Sequence, residues 1–118
     1  MPAKILIVDD GADFRTLLAI ALAPLAEIVE AADGPEALRK IASDKPKLML
    51  LDVSMPEMGG LAVLKKARAL DPKLVVVMLT GESDLSVAKK AVELGARAFI
   101  TKPFDVDAVL GELRRLLA

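Results

Sequence analysis

Five short apolar runs, each followed by a segment whose apolar residues recur at helical spacing, occupy the chain from end to end. The runs fall at residues 5–8, at Ile28 and Val29 within 27–31, and at 48–51, 74–79 and 96–101. Short continuous apolar stretches suit strands buried on both faces. Their strict alternation with helices predicts an α/β fold, a parallel five-stranded sheet covered on both sides. With 118 residues there is material for one core, so a single domain over residues 1–118 is expected.

Local signals place the helices. Phe14, Leu17, Leu18, Ala21 and Leu22 fall on one helical face, closed by Pro24. Asp33 is placed to cap the second helix, with Glu36 reaching back, and Ala37, Leu38 and Ile41 form its stripe. Gly59-Gly60 opens a third helix carrying Leu61, Leu64, Ala67 and Leu70, stopped at Asp71-Pro72. Val87, Ala88, Ala91 and Leu94 make a fourth, which Gly95 ends in a left-handed conformation. Asp105 caps the fifth, with Val106, Val109, Leu110, Leu113 and Leu117 as its face. The fifth strand alternates rather than running solid, so it is expected nearer an edge of the sheet.

Composition removes several chemistries. The chain has no His, Cys, Trp, Tyr, Asn or Gln. Zinc cages, haem ligation, disulfides and Ser-His-Asp or Cys-His nucleophiles are therefore excluded. Sixteen basic residues against 17 acidic, no dense basic run and only three aromatics argue against a nucleic-acid surface. No apolar stretch approaches the roughly 20 residues of a membrane helix, and the start at Met1 reads as no signal peptide. A soluble, cytoplasmic protein without membrane contact is expected. The missing Asn, Gln and Cys match heat-stable proteins, and equally a simplified or reconstructed sequence.

What remains is concentrated at the strand ends, where open α/β sheets bind their ligands. The first strand ends in Asp9-Asp10, the third in Asp52 and the fourth in Thr80-Gly81, and Lys102-Pro103 follows the fifth. If the strand order is the flavodoxin-like 2-1-3-4-5, neighbouring strands about 4.8 Å apart bring Asp52 between the first-strand acids and Thr80. Lys102 can then reach back across the fourth strand. Two carboxylates about 5 Å apart repel by roughly 3 kcal/mol at an effective dielectric near 20, so three acids in one pocket call for a cation. An all-oxygen site without imidazole suits Mg²⁺ first, with Mn²⁺ also able to fill it. Taken singly, each of these residues is as well explained as a turn residue, a cap or a solvated charge.

The segments Ile7-Val8-Asp9-Asp10, Leu50-Leu51-Asp52-Val53-Ser54-Met55-Pro56, Met78-Leu79-Thr80-Gly81 and Ile100-Thr101-Lys102-Pro103-Phe104 together resemble the response-regulator receiver domains of two-component signalling. The resemblance spans the chain and implies the flavodoxin-like (βα)₅ fold. It also implies that Asp52 accepts a phosphoryl group from a phosphohistidine on a sensor histidine kinase or histidine phosphotransfer protein. Asp10 and Asp52 would ligate Mg²⁺ directly, Asp9 through water and Ser54 through its carbonyl. Lys102 and the metal would neutralise phosphoryl oxygens, and Thr80 with Phe99 would relay the change to a downstream effector. That effector would meet the fourth helix, fifth strand and fifth helix, where Lys89, Lys90, Arg97, Arg114 and Arg115 lie.

Several positions carry finer expectations. Phe99 shares a strand face with Arg97 and Thr101, which places it near the surface. Gly81 is the small residue beside Thr80, and Ser54 and Glu82 stand where similar domains tune the phosphoryl lifetime. Gly11 departs from the acidic or bulkier residue frequent in relatives. A haloacid-dehalogenase-type phosphatase would need an acid at position 11, and a flavodoxin would need a Thr/Ser/Gly-rich first loop and a ring to stack on flavin. A receiver fold serving only as a scaffold, without a signalling partner, is the remaining alternative.

Overall fold

A computed structural model describes residues 3–53, 55, 58–81, 85–102 and 105–118. Ten elements alternate through them: β1 (Lys4–Val8), α1 (Ala12–Leu22), β2 (Glu27–Ala31), α2 (Gly34–Asp44), β3 (Leu48–Asp52), α3 (Gly60–Leu70), β4 (Val75–Gly81), α4 (Leu85–Glu93), β5 (Ala98–Lys102) and α5 (Val106–Leu117). The five strands form one parallel sheet in the order β2-β1-β3-β4-β5, the order expected from the sequence. Ile7 lies beside Leu50, Leu50 beside Val77 and Val77 beside Ala98. The sheet therefore presents the carboxyl ends of β1, β3 and β4 side by side.

Because parallel strands are covered on both faces, successive residues of each central strand feed opposite cores. Leu6, Val8, Met49, Leu51, Val76 and Met78 pack with Ala37, Ile41, Val63, Leu64, Ala67 and Ala91, so α2, α3 and α4 cover one face. Ile5, Ile7, Leu48, Leu50, Val77 and Leu79 pack with Leu18, Leu22, Val109 and Leu113, so α1 and α5 cover the other. All five β3 residues are buried, including Asp52. β5 is an edge strand, and its alternation is that of an element with one wet face.

Most helix signals act as expected. The Asp33 carboxylate accepts the Glu36 N–H at 2.8 Å, with Pro35 in the first turn. Asp105 likewise accepts the Asp107 N–H at 2.9 Å, and Gly95 takes φ +103°. Glu36 does reach back, but its Oε1 accepts from Ala32 N–H, one residue before the cap. Leu17 departs from its expected place: it is 54% exposed, and Ile20 also projects outward at 70%. The buried positions of α1 are Leu18 and Leu22, one turn apart, and Leu17 lies off that line. β5 begins at Ala98 rather than Ala96, and β4 runs through Thr80 to Gly81. Lys45 ends α2 in the left-handed region at φ +49°, a role its residue type does not announce.

Candidate functional site

Strand register builds the site. Val8 pairs with Leu51, so the next residues, Asp9 and Asp52, emerge together at the ends of adjacent strands. Asp9 is 3% exposed and Asp52 5%, whereas Asp10 faces solvent. One carboxylate oxygen from each of the three can be chosen so that all lie within 4.8 Å of one another. At that separation each ionised pair repels by roughly 3 kcal/mol at an effective dielectric near 20. Two of the three are also withdrawn from water, which raises the cost of their charge. Such a donor set fits a hard divalent cation, which takes carboxylate oxygen and water.

Local geometry fixes the first-strand acids. The Gly11 N–H donates to Asp9 Oδ1 at 2.8 Å, and the Asp9 N–H donates to the Ala31 carbonyl at 3.2 Å. A Cβ at position 11 would stand 3.2 Å from Asp9 Oδ1, a tight contact that a shift of a few tenths of an ångström in that carboxylate would relieve. On the other side, α3 begins hard against the end of β3. An ideal Cβ on Gly60 would stand 2.4 Å from the Asp52 carbonyl oxygen. The Gly60 N–H also donates to the Val53 carbonyl at 3.0 Å, tying the helix start to the end of β3.

The fourth and fifth strands supply the remaining edge. Thr80 is 4% exposed and lies across from Thr101, while Gly81 pairs with Lys102 at the end of β5. Phe99, 42% exposed, is on the wet face with Arg97 and Thr101, as its alternation implied. It borders a cavity of about 410 Å³ whose other walls are Ala88, Lys89, Val92 and Glu93 of α4. Lys89, Lys90, Arg97, Arg114 and Arg115 are all exposed. Of these, Arg115 hydrogen-bonds the Glu112 carboxylate, which holds the Glu112 pKa below its ordinary value. Ser54 and Glu82 lie outside the described residues, as do Pro103, Phe104 and the side chain of Lys102.

The order of these ends, acid pair, acid, Thr and Lys on successive strands of a 2-1-3-4-5 sheet, invites comparison with known proteins. The family model for the response regulator receiver domain matches residues 5–114. This chain belongs to that family. The receiver is 37% identical over 114 residues to the chemotaxis protein CheY of Listeria monocytogenes, covering 95% of this chain and 96% of that one. It is 34% identical over 118 residues to sporulation initiation phosphotransferase F of Bacillus subtilis, covering 99% and 95%. A CheY-like receiver domain of Methanospirillum hungatei superposes with a TM-score of 0.95 at 31% identity, covering 99% of this receiver and 94% of that chain. Receivers are signalling domains of two-component systems rather than conventional enzymes. No described helix of this one is long and apolar enough to cross a membrane.

Two parts of the site are not legible in the sequence. In the sequence Gly59-Gly60 reads only as a helix start, and nothing there announces the tight seat of Gly60 on the Asp52 carbonyl. Arg15, whose NH1 donates to the Asp9 carbonyl at 2.5 Å, carries no motif that marks it in the sequence. Its one sequence signal is position: it stands one helical turn beyond Gly11, close behind the acid pair.

Proposed function

We propose that this receiver is a phosphoacceptor switch in which the Asp52 carboxylate takes a phosphoryl group from a phosphohistidine of a sensor kinase or histidine phosphotransfer protein. The convergence of the Asp9, Asp10 and Asp52 carboxylates at the ends of β1 and β3 carries this reading. An Asp52 carboxylate oxygen attacks phosphorus, the P–N bond breaks, and its electron pair leaves with the donor imidazole, which takes up a proton. Since this chain has no His, the donor is another protein.

Asp10 and Asp52 would hold Mg²⁺ directly, Asp9 through water and Ser54 through its carbonyl. When bound, the ion supplies charge neutralisation at the phosphoryl oxygens. Lys102, at the end of β5, adds a second positive charge. Thr80 is the sensing residue, its hydroxyl turning to the phosphoryl oxygen, and Phe99 follows by moving inward. Without a phenol, Phe99 reports the switch by burial alone. The effector then meets the face formed by α4, β5 and α5.

Titration with beryllofluoride, a phosphoryl analogue, tests the switch through the amide spectrum. With Mg²⁺ present, saturable shifts are expected at Asp52, Thr80 and Phe99, and none in Asp52→Asn. Shifts that persist in Asp52→Asn, or that need no divalent ion, would remove Asp52 from this role.

A further inference from the structure

The end of β1 is held by a residue outside the acid cluster. Arg15 sits on α1 with its side chain only 15% exposed. Its NH1 donates to the Asp9 carbonyl at 2.5 Å, and its Nε donates to Glu30 Oε1 on β2 at 3.3 Å. Meanwhile its backbone N–H donates to the Gly11 carbonyl at 3.0 Å. The backbone bond is the ordinary first bond of α1, and the guanidinium adds the tie from that helix to the Asp9 carbonyl and to β2. Glu30 is itself anchored, because the Lys40 ammonium donates to its main-chain carbonyl.

We infer that Arg15 is a positioning residue of the acid pocket, fixing the peptide between Asp9 and Asp10 so that their carboxylates converge with that of Asp52. This rests on the reading of the three acids as a cation site. The Asp9 carbonyl belongs to the peptide plane joining the two acids, so its orientation sets how both carboxylates leave the chain. Paired with Glu30, the guanidinium adds little net charge beside the pocket, and its effect is geometric. Groups that orient metal ligands in this way commonly matter as much as about 10- to 100-fold in affinity.

Calorimetric Mg²⁺ titration of the whole chain tests this, with folding of each variant checked from the dispersion of its amide spectrum. The decisive variant is the double R15M/E30Q, which removes the clamp without changing net charge. Its Mg²⁺ affinity should fall about tenfold, with a displaced Gly11 amide resonance, and R15K should recover part of the loss because an ammonium can still reach the Asp9 carbonyl. Should the double variant not fold, R15K alone decides, with an affinity about threefold below wild type expected. Affinity within about twofold of wild type in the deciding variant, or binding tighter than wild type, overturns the inference and marks Arg15 as a structural or purely electrostatic group. A wild type that binds no Mg²⁺ fails the cation-site reading itself, an outcome separate from wild-type binding that the variants leave unchanged.

Discussion

Gly60→Ala places one methyl group where the backbone at the end of β3 already stands. Its Cβ would meet the Asp52 carbonyl oxygen at 2.4 Å, Val53 Cα at 2.7 Å and the Asp52 carbonyl carbon at 3.1 Å. Carbon and oxygen settle at about 3.3–3.6 Å even in favourable C–H···O contacts, so the start of α3 and the end of β3 must separate by about 0.9 Å. All three obstructing atoms are backbone, so no side-chain rotation relieves them. Overpacking of this kind costs about 1–3 kcal/mol, and the top of that range applies to an unyielding wall. Replacing Gly by Ala in a helix returns at most about 1 kcal/mol. A net loss of about 2 kcal/mol is expected, a fall in melting temperature of about 8 °C for a domain of this size. Gly111→Ala provides the contrast, since a Cβ there meets nothing within 4 Å and should stabilise by about 0.5–1 kcal/mol. Thermal and urea unfolding of both variants measure the difference. If Gly60→Ala melts at or above wild type, the close seat of α3 on Asp52 is wrong.

Asp33→Ala removes the acceptor for the Glu36 N–H and should lower stability by about 1 kcal/mol, seen as a lower urea midpoint at unchanged slope. Thr80→Ala should still acquire a phosphoryl group but lose the accompanying amide shift at Phe99. Equal Phe99 shifts in mutant and wild type would show that the relay runs through another residue.

The parts of this molecule that could be read in the sequence are those in which one residue's environment follows from its own strand or helix. The continuous runs in β1, β3 and β4 announce strands buried on both faces, and the alternation of Arg97, Phe99 and Thr101 marks the wet face of an edge strand. Asp9, Asp10, Asp52 and Thr80 were legible for a related reason, because strand ends in an open parallel sheet meet on one edge. Contacts between separate elements were not. The Arg15 clamp exists because β2 lies beside β1 and brings Glu30 within reach. Gly60 looks like any helix-opening glycine until α3 is seen against Asp52. Leu17 and Ile20 show the converse, since apolar residues beside a buried stripe need not join it.

The phosphoacceptor assignment meets its most direct test in the intact mass of the protein after incubation with a small-molecule phosphodonor and Mg²⁺. One added phosphoryl group is expected on wild type, absent from Asp52→Asn and absent when the divalent ion is chelated. An unmodified wild type, or an Asp52→Asn protein that gains the same mass, would contradict it.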